Sequence, residues 1–178
     1  MNIFISGGCK NGKSYYAQRR AKAMAEELGV PLYYIATMIP HDDEDRARIR
    51  RHISERDGWG FETIEQGLSL TEILDNDVVD KNGVFLMDSV TALLDNEMFD
   101  DKGNIDEAAP ERVKKDVLEF AAGTGNTVFV SDYIYGDADI YGETVEAYRR
   151  GLAAADRALA EVCEEVIEIA YGTEERWK

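Results

Sequence analysis

One octapeptide constrains this chain more than any other feature. Gly7-Gly8-Cys9-Lys10-Asn11-Gly12-Lys13-Ser14 fits the pattern G-x-x-x-x-G-K-[ST]. It follows a short apolar run, Asn2 to Ser6, and opens a stretch in which Ala17, Ala21, Met24 and Leu28 fall on one helical face before Gly29 and Pro31 stop it. Strand, glycine-rich turn and helix in that order make an anion cradle. The glycines let the backbone curl so that successive N–H groups converge on phosphate oxygens, and the helix adds the positive end of its dipole. In such a loop Lys13 reaches the outer phosphates of a nucleotide and the Ser14 hydroxyl holds Mg²⁺. All eight residues, Gly7 to Ser14, are therefore candidate nucleotide-binding residues.

The remainder of the chain repeats this alternation. Leu32 to Ala36, Val84 to Met87, Thr127 to Val130 and Val166 to Ala170 read as short buried strands, rich in Ile, Val, Phe and Tyr. Val113, Val117, Phe120 and Ala121 predict a helix over 110–122, closed by the turn Gly123-Thr124-Gly125-Asn126. Val145, Tyr148, Leu152, Ala155, Leu159 and Val162 advance by threes and fours, which predicts a longer one. Strands separated by helices imply a mostly parallel sheet covered on both faces, the doubly wound α/β class. Asp75 to Asn82 and Asp95 to Asp106 read as acidic loops too short to link domains. One domain over 1–178 is the expectation.

Charge narrows the partners. Among 178 residues, 36 Asp and Glu outweigh 20 Lys and Arg, for a net charge of −16. Nucleic acid and anionic lipid are held largely by Lys and Arg, so both are poor partners for this surface. A phosphate ligand needs local positive features instead. Two cysteines, Cys9 and Cys163, make no disulfide framework, no run reaches the length of a membrane span, and the first residues lack a signal-peptide pattern. A cytoplasmic location is the expectation.

Two further stretches carry chemistry. Gly83-Val84-Phe85-Leu86-Met87-Asp88 is an apolar run closed by a carboxylate, the Walker B form, in which Asp88 binds Mg²⁺ directly or through water. Between Arg46 and Arg56 lie five of the chain's basic residues, after the acidic start Asp42-Asp43-Glu44-Asp45, a distribution that suits a short helix. At helical spacing Arg48, His52 and Arg56 share one face. An imidazole between guanidinium groups tends to stay neutral, with a lone pair able to attack phosphorus. A solvated helix whose histidine is inert accounts for the same spacing, and from the residues alone both readings stand.

In order and spacing these segments resemble the bifunctional adenosylcobinamide kinase and adenosylcobinamide-phosphate guanylyltransferase family of cobalamin biosynthesis. Its opening G-G-x-x-x-G-K-S is matched by Gly7 to Ser14, its Y-I-A-T by Tyr34-Ile35-Ala36-Thr37, and its D-D-E-x-x-x-R-I-x-x-H by Asp42-Asp43-Glu44, Arg48-Ile49 and His52. Its W-x-T-x-E is similar to Phe61-Glu62-Thr63-Ile64-Glu65, and its D-x-x-T-x-L-L to Asp88-Ser89-Val90-Thr91-Ala92-Leu93-Leu94. Where the family usually carries V-S-N-E-V-G, this chain has Val130-Ser131-Asp132-Tyr133-Ile134-Tyr135. A later F-R-x-x-x-G-x-x-N-Q becomes the segment from Tyr148-Arg149 to Asp156-Arg157.

The resemblance implies a three-layer P-loop NTPase fold of the RecA-like kind. It implies phosphorylation of adenosylcobinamide by a nucleoside triphosphate, then transfer of GMP from GTP through a guanylyl-histidine. His52 and Lys13 become the catalytic residues, with Thr37, Arg48, Arg56, Glu65 and Asp88 joining the phosphate loop in holding nucleotide and Ser14 and Asp88 holding Mg²⁺. ATP and GTP are the implied substrates beside the corrinoid, and a homotrimer the implied assembly. Two other readings of the residues are a small-molecule kinase without guanylyl transfer and a non-catalytic nucleotide-binding regulator. His41, Trp59 and Trp177 read as loop, packing or surface residues.

Overall fold

The computed structural model describes residues 1–100 and 102–178, and the side chains of Arg48, His52 and Glu55 lie outside what is described. Among the described residues seven strands form one sheet: β1 (Ile3–Gly7), β2 (Leu32–Ala36), β3 (Glu62–Glu65), β4 (Val84–Asp88), β5 (Thr127–Asp132), β6 (Glu165–Ala170) and β7 (Thr173–Arg176). Their spatial order is β3-β2-β4-β5-β1-β6-β7, and every pairing is parallel except that of β6 with β7. Five α-helices among the described residues connect them: α1 (Lys13–Leu28), α2 (Asp43–Glu55), α3 (Val90–Met98), α4 (Ala109–Thr124) and α5 (Glu143–Val162).

Alternation along each strand divides the core into two layers. Ile3, Ile5, Leu86, Val128, Val130 and Ile167 face Ala17, Ala21 and Met24 of α1. Phe4, Phe85, Met87 and Phe129 point the other way, against Leu93 of α3, Val117 and Phe120 of α4, and Leu152 and Leu159 of α5. The central strands are apolar on both faces, which explains why they read as continuous hydrophobic runs. Small residues set the helix spacing: a Cβ on Gly151 of α5 would lie 2.6 Å from Pro110 Cβ of α4.

The five expected strands and four expected helices are present with ends shifted by a few residues. The acidic stretch from Asp95 onward is in part helical, which corrects its reading as a loop. Val90, Leu93, Leu94 and Met98 supply a buried stripe, Ser89 caps the helix by accepting from the Ala92 N–H at 3.2 Å, and α3 runs on to Met98. Beyond it Asp100 closes a tight turn, accepting from the N–H groups of Lys102 and Asn104. A 3₁₀ helix over Leu70–Asp75 and the strands β3 and β7 have no counterpart in the sequence reading. Both strands lie at sheet edges and are exposed and polar, so they carry no apolar signal, and pairing alone creates them.

Gly151→Val tests the α4–α5 contact. The branched side chain has no room against Pro110, so the urea midpoint should fall by an amount corresponding to about 1–3 kcal/mol with an unchanged m-value. An unaltered midpoint would refute the close packing.

Candidate functional site

Parallel pairing brings the carboxyl ends of β1 to β6 to one edge of the sheet, and ligands of open α/β sheets gather there. Most of the residues singled out from sequence sit on that edge. The phosphate loop follows β1, Thr37 follows β2, Glu65 ends β3 and Asp88 ends β4. Helix α2, which bears Arg48 and His52, also departs from the end of β2.

Local geometry explains the phosphate-loop sequence. Gly7 is pressed against β6, where an added Cβ would come 2.5 Å from the Ile169 carbonyl oxygen, so no side chain is tolerated. Gly12 takes φ 85° immediately before α1, a left-handed conformation that other residues adopt at a cost. Lys13 is 6% exposed, and its ammonium donates to the Gly8 carbonyl at 3.1 Å and to the Asp132 carboxylate. Ser14 is half-buried on the first turn of α1, and Cys9 and Lys10 are exposed on the loop's outer side.

A second cluster surrounds Asp88. The Tyr34 hydroxyl donates to Asp88 Oδ2 at 3.1 Å, and the buried Arg56 guanidinium lies 3.5 Å from the centre of the Tyr34 ring. Arg56 caps the C-terminus of α2, so this stack docks the end of the His52-bearing helix onto β2 beside Asp88. Farther along, Trp59 packs edge-on against Tyr15 of α1 at 5.7 Å. Thr37 is fully buried; its hydroxyl donates to the Ser89 carbonyl at 3.0 Å and accepts from the Ser89 N–H at 2.7 Å. Its side chain is thereby committed to holding the chain just after Asp88. Glu65 is exposed on the edge strand.

The Ser14 hydroxyl and the Asp88 carboxylate are hard oxygen donors of the kind Mg²⁺ takes. Among the described residues no group of three or more His, Cys, Asp or Glu forms a metal cage.

Asp132 and Tyr34 are site residues that the sequence reading did not select. Asp132 enters because β5 lies beside β1, in register with Gly7, and strand order is not written in any local pattern. Beyond β5, Tyr133 donates to Glu168 at 3.0 Å and Tyr135 to Asp156 at 2.8 Å. Tyr135, Glu146, Arg149, Arg150 and Ala153 line an open cavity of about 270 Å³ next to the same edge. Arg149 is buried there, ion-paired with Asp137 and Glu146 at 2.8 Å each. Both cysteines are free; Cys163 is buried and burial pushes its thiol up to about 12, so it behaves as a packed apolar group.

The architecture and its phosphate loop define a RecA-like P-loop NTPase fold. The ATPase domain of G40P superposes with a TM-score of 0.54 over 94% of this chain and 68% of that one, at 11% identity, a likeness of fold alone. The family model described as cobinamide kinase / cobinamide phosphate guanyltransferase matches residues 3–176, and the chain belongs to that family. Over 107 residues it is 36% identical to the bifunctional adenosylcobalamin biosynthesis protein CobU of Escherichia coli, a match spanning 60% of this chain and 55% of that protein. Over 170 residues it is 29% identical to the bifunctional adenosylcobalamin biosynthesis protein CobP of Pseudomonas aeruginosa, covering 93% and 91% of the two chains.

Asp156 gives a test of the buried network beside the site. Burial pushes its carboxyl up to about 6, against the opposing effect of the hydrogen bond from the Tyr135 hydroxyl. A carboxyl raised in the folded state lends stability below its unfolded pKa, near 4, and that contribution is lost as pH rises through about 6. Asp156→Asn should therefore stabilise the protein at pH 7.5 by about 1–3 kcal/mol, with the advantage vanishing below pH 4. Urea unfolding across pH checks this, and a difference independent of pH would contradict it.

Proposed function

We propose that this chain phosphorylates adenosylcobinamide with a nucleoside triphosphate and then transfers GMP from GTP, through a guanylyl-His52 intermediate, to give adenosylcobinamide-GDP. The observation that carries the reading is the Arg56–Tyr34–Asp88 chain of contacts, which docks the His52-bearing helix on the same sheet edge as the phosphate loop. Family membership and the names of both relatives favour the same pair of reactions.

In the first reaction the loop N–H groups and Lys13 hold the triphosphate, with Lys13 exchanging Asp132 for phosphate oxygens. Ser14 and Asp88 would hold Mg²⁺, which would supply neutralisation of phosphate charge. The acceptor hydroxyl attacks the γ-phosphorus, the bond to the β–γ bridging oxygen breaks, and the nucleoside diphosphate leaves. In the second reaction His52 attacks the α-phosphorus of GTP, pyrophosphate leaves, and GMP passes to the phosphate just installed on the corrinoid. Arg56, buried and stacked, acts by positioning α2, and Thr37 by holding the segment after Asp88. The open cavity lined by Tyr135, Arg149 and Arg150 is a candidate seat for part of the bulky acceptor.

Incubation with Mg²⁺ and α-labelled GTP should give an acid-labile adduct on the wild type and none on His52→Ala. Lys13→Ala should lower phosphoryl transfer by about 100-fold or more. Phosphorylation of the corrinoid without any adduct would leave a kinase alone, and tight nucleotide binding without turnover would leave a regulator.

A further inference from the structure

Phosphoryl transfer to an alcohol has a requirement that guanylyl transfer to a phosphate lacks. The alcohol's proton must leave, whereas a phosphate monoester is already anionic at neutral pH. Four carboxylates end or flank the strands near the phosphate loop, and sheet geometry ranks them. With strands about 4.8 Å apart, Glu65 on β3 lies four spacings, about 19 Å, from β1, and Asp88 on β4 lies two, about 10 Å. Asp132 on β5 and Glu168 on β6 are each one spacing away, in register with Gly7 and Ser6. Both oxygens of Glu168 are engaged, Oε1 by the Tyr133 hydroxyl at 3.0 Å and Oε2 by the Trp177 indole N–H at 3.2 Å. Asp132 remains.

Its carboxylate touches the Lys13 ammonium, the group that a bound triphosphate draws onto its outer phosphates. Its backbone is fixed: the Asp132 N–H donates to Thr91 Oγ1 at 2.8 Å, and the Thr91 carbonyl accepts from the Tyr148 hydroxyl at 3.1 Å. Once Lys13 turns to phosphate, Asp132 is left as a partly exposed carboxylate beside the γ-phosphoryl group.

We propose that Asp132 is the general base of the phosphoryl-transfer step; this rests on the kinase reading above. The acceptor oxygen forms a bond to the γ-phosphorus as the bond from that phosphorus to the β–γ bridging oxygen breaks. The acceptor proton passes to an Asp132 carboxylate oxygen, and the nucleoside diphosphate leaves with the bonding electron pair. The Asp132–Lys13 contact is the resting form of the same pair. It keeps the carboxylate and the lysine partnered until a nucleotide separates them.

Asp132→Asn preserves shape and removes the basic oxygen. The turnover rate for adenosylcobinamide phosphorylation should fall about 100-fold. The dissociation constant for a non-hydrolysable ATP analogue should hold or tighten, because a negative charge has left the phosphate site. Guanylyl transfer to a chemically supplied adenosylcobinamide phosphate should fall far less than phosphorylation does. Asp132→Ala, with its unfolding midpoint measured alongside, serves as a second variant with the same expected pattern. A phosphorylation rate within threefold of wild type, or an equal loss in both reactions, would overturn the assignment. A wild type that forms no corrinoid phosphate would overturn the kinase reading itself, and the assignment with it.

Discussion

Everything at the site depends on the parallel seating of β1 between β5 and β6. That arrangement places the Gly7 backbone against the Ile169 carbonyl with no space for a side chain, and sets Gly7 level with Asp132. The glycine-rich turn can then leave the sheet at its carboxyl edge and feed α1. Because β2 and β4 run the same way, Thr37 and Asp88 emerge at that edge as well. A single antiparallel strand in the middle would have sent one of these residues to the opposite end.

The electrostatics are more balanced than a positive phosphate pocket in an acidic protein suggests. Lys13 is partnered by Asp132, Arg149 by Asp137 and Glu146, and Arg112 by Glu97 and Asp106. Arg56 rests on an aromatic ring. What attracts phosphate is therefore chiefly the loop's backbone N–H groups and the start of α1, which cannot be neutralised by a neighbouring carboxylate as a side chain can. That arrangement is compatible with a net charge of −16, since it does not require a basic surface.

Much of the fold was legible in the residues. The buried strands announce themselves as apolar runs because both faces are covered, and α1, α4 and α5 carry clean stripes. Edge strands β3 and β7 were silent, since half-exposed polar segments become strands only when a neighbour offers hydrogen bonds. Within the site, the phosphate loop and Asp88 follow from local pattern. Thr37 and Arg56 were legible as positions but not as contacts. Sequence could not show that the Thr37 hydroxyl is committed to Ser89, or that Arg56 lies across Tyr34.

By itself, the sequence determined the α/β class, the phosphate loop and its helix, and the family to which the chain belongs. These depend on spacing along the chain, which local sterics and periodic burial translate directly. Tertiary structure alone decided which strand lies beside which, and with it the meeting of Lys13 with Asp132 and of Arg56 with Tyr34 and Asp88. Asp132 lies 119 residues from Lys13 along the chain, yet its strand is the neighbour of β1 in the sheet. Strand order follows from how whole helices pack on the two faces, a global balance of burial and connection that no short window of sequence records.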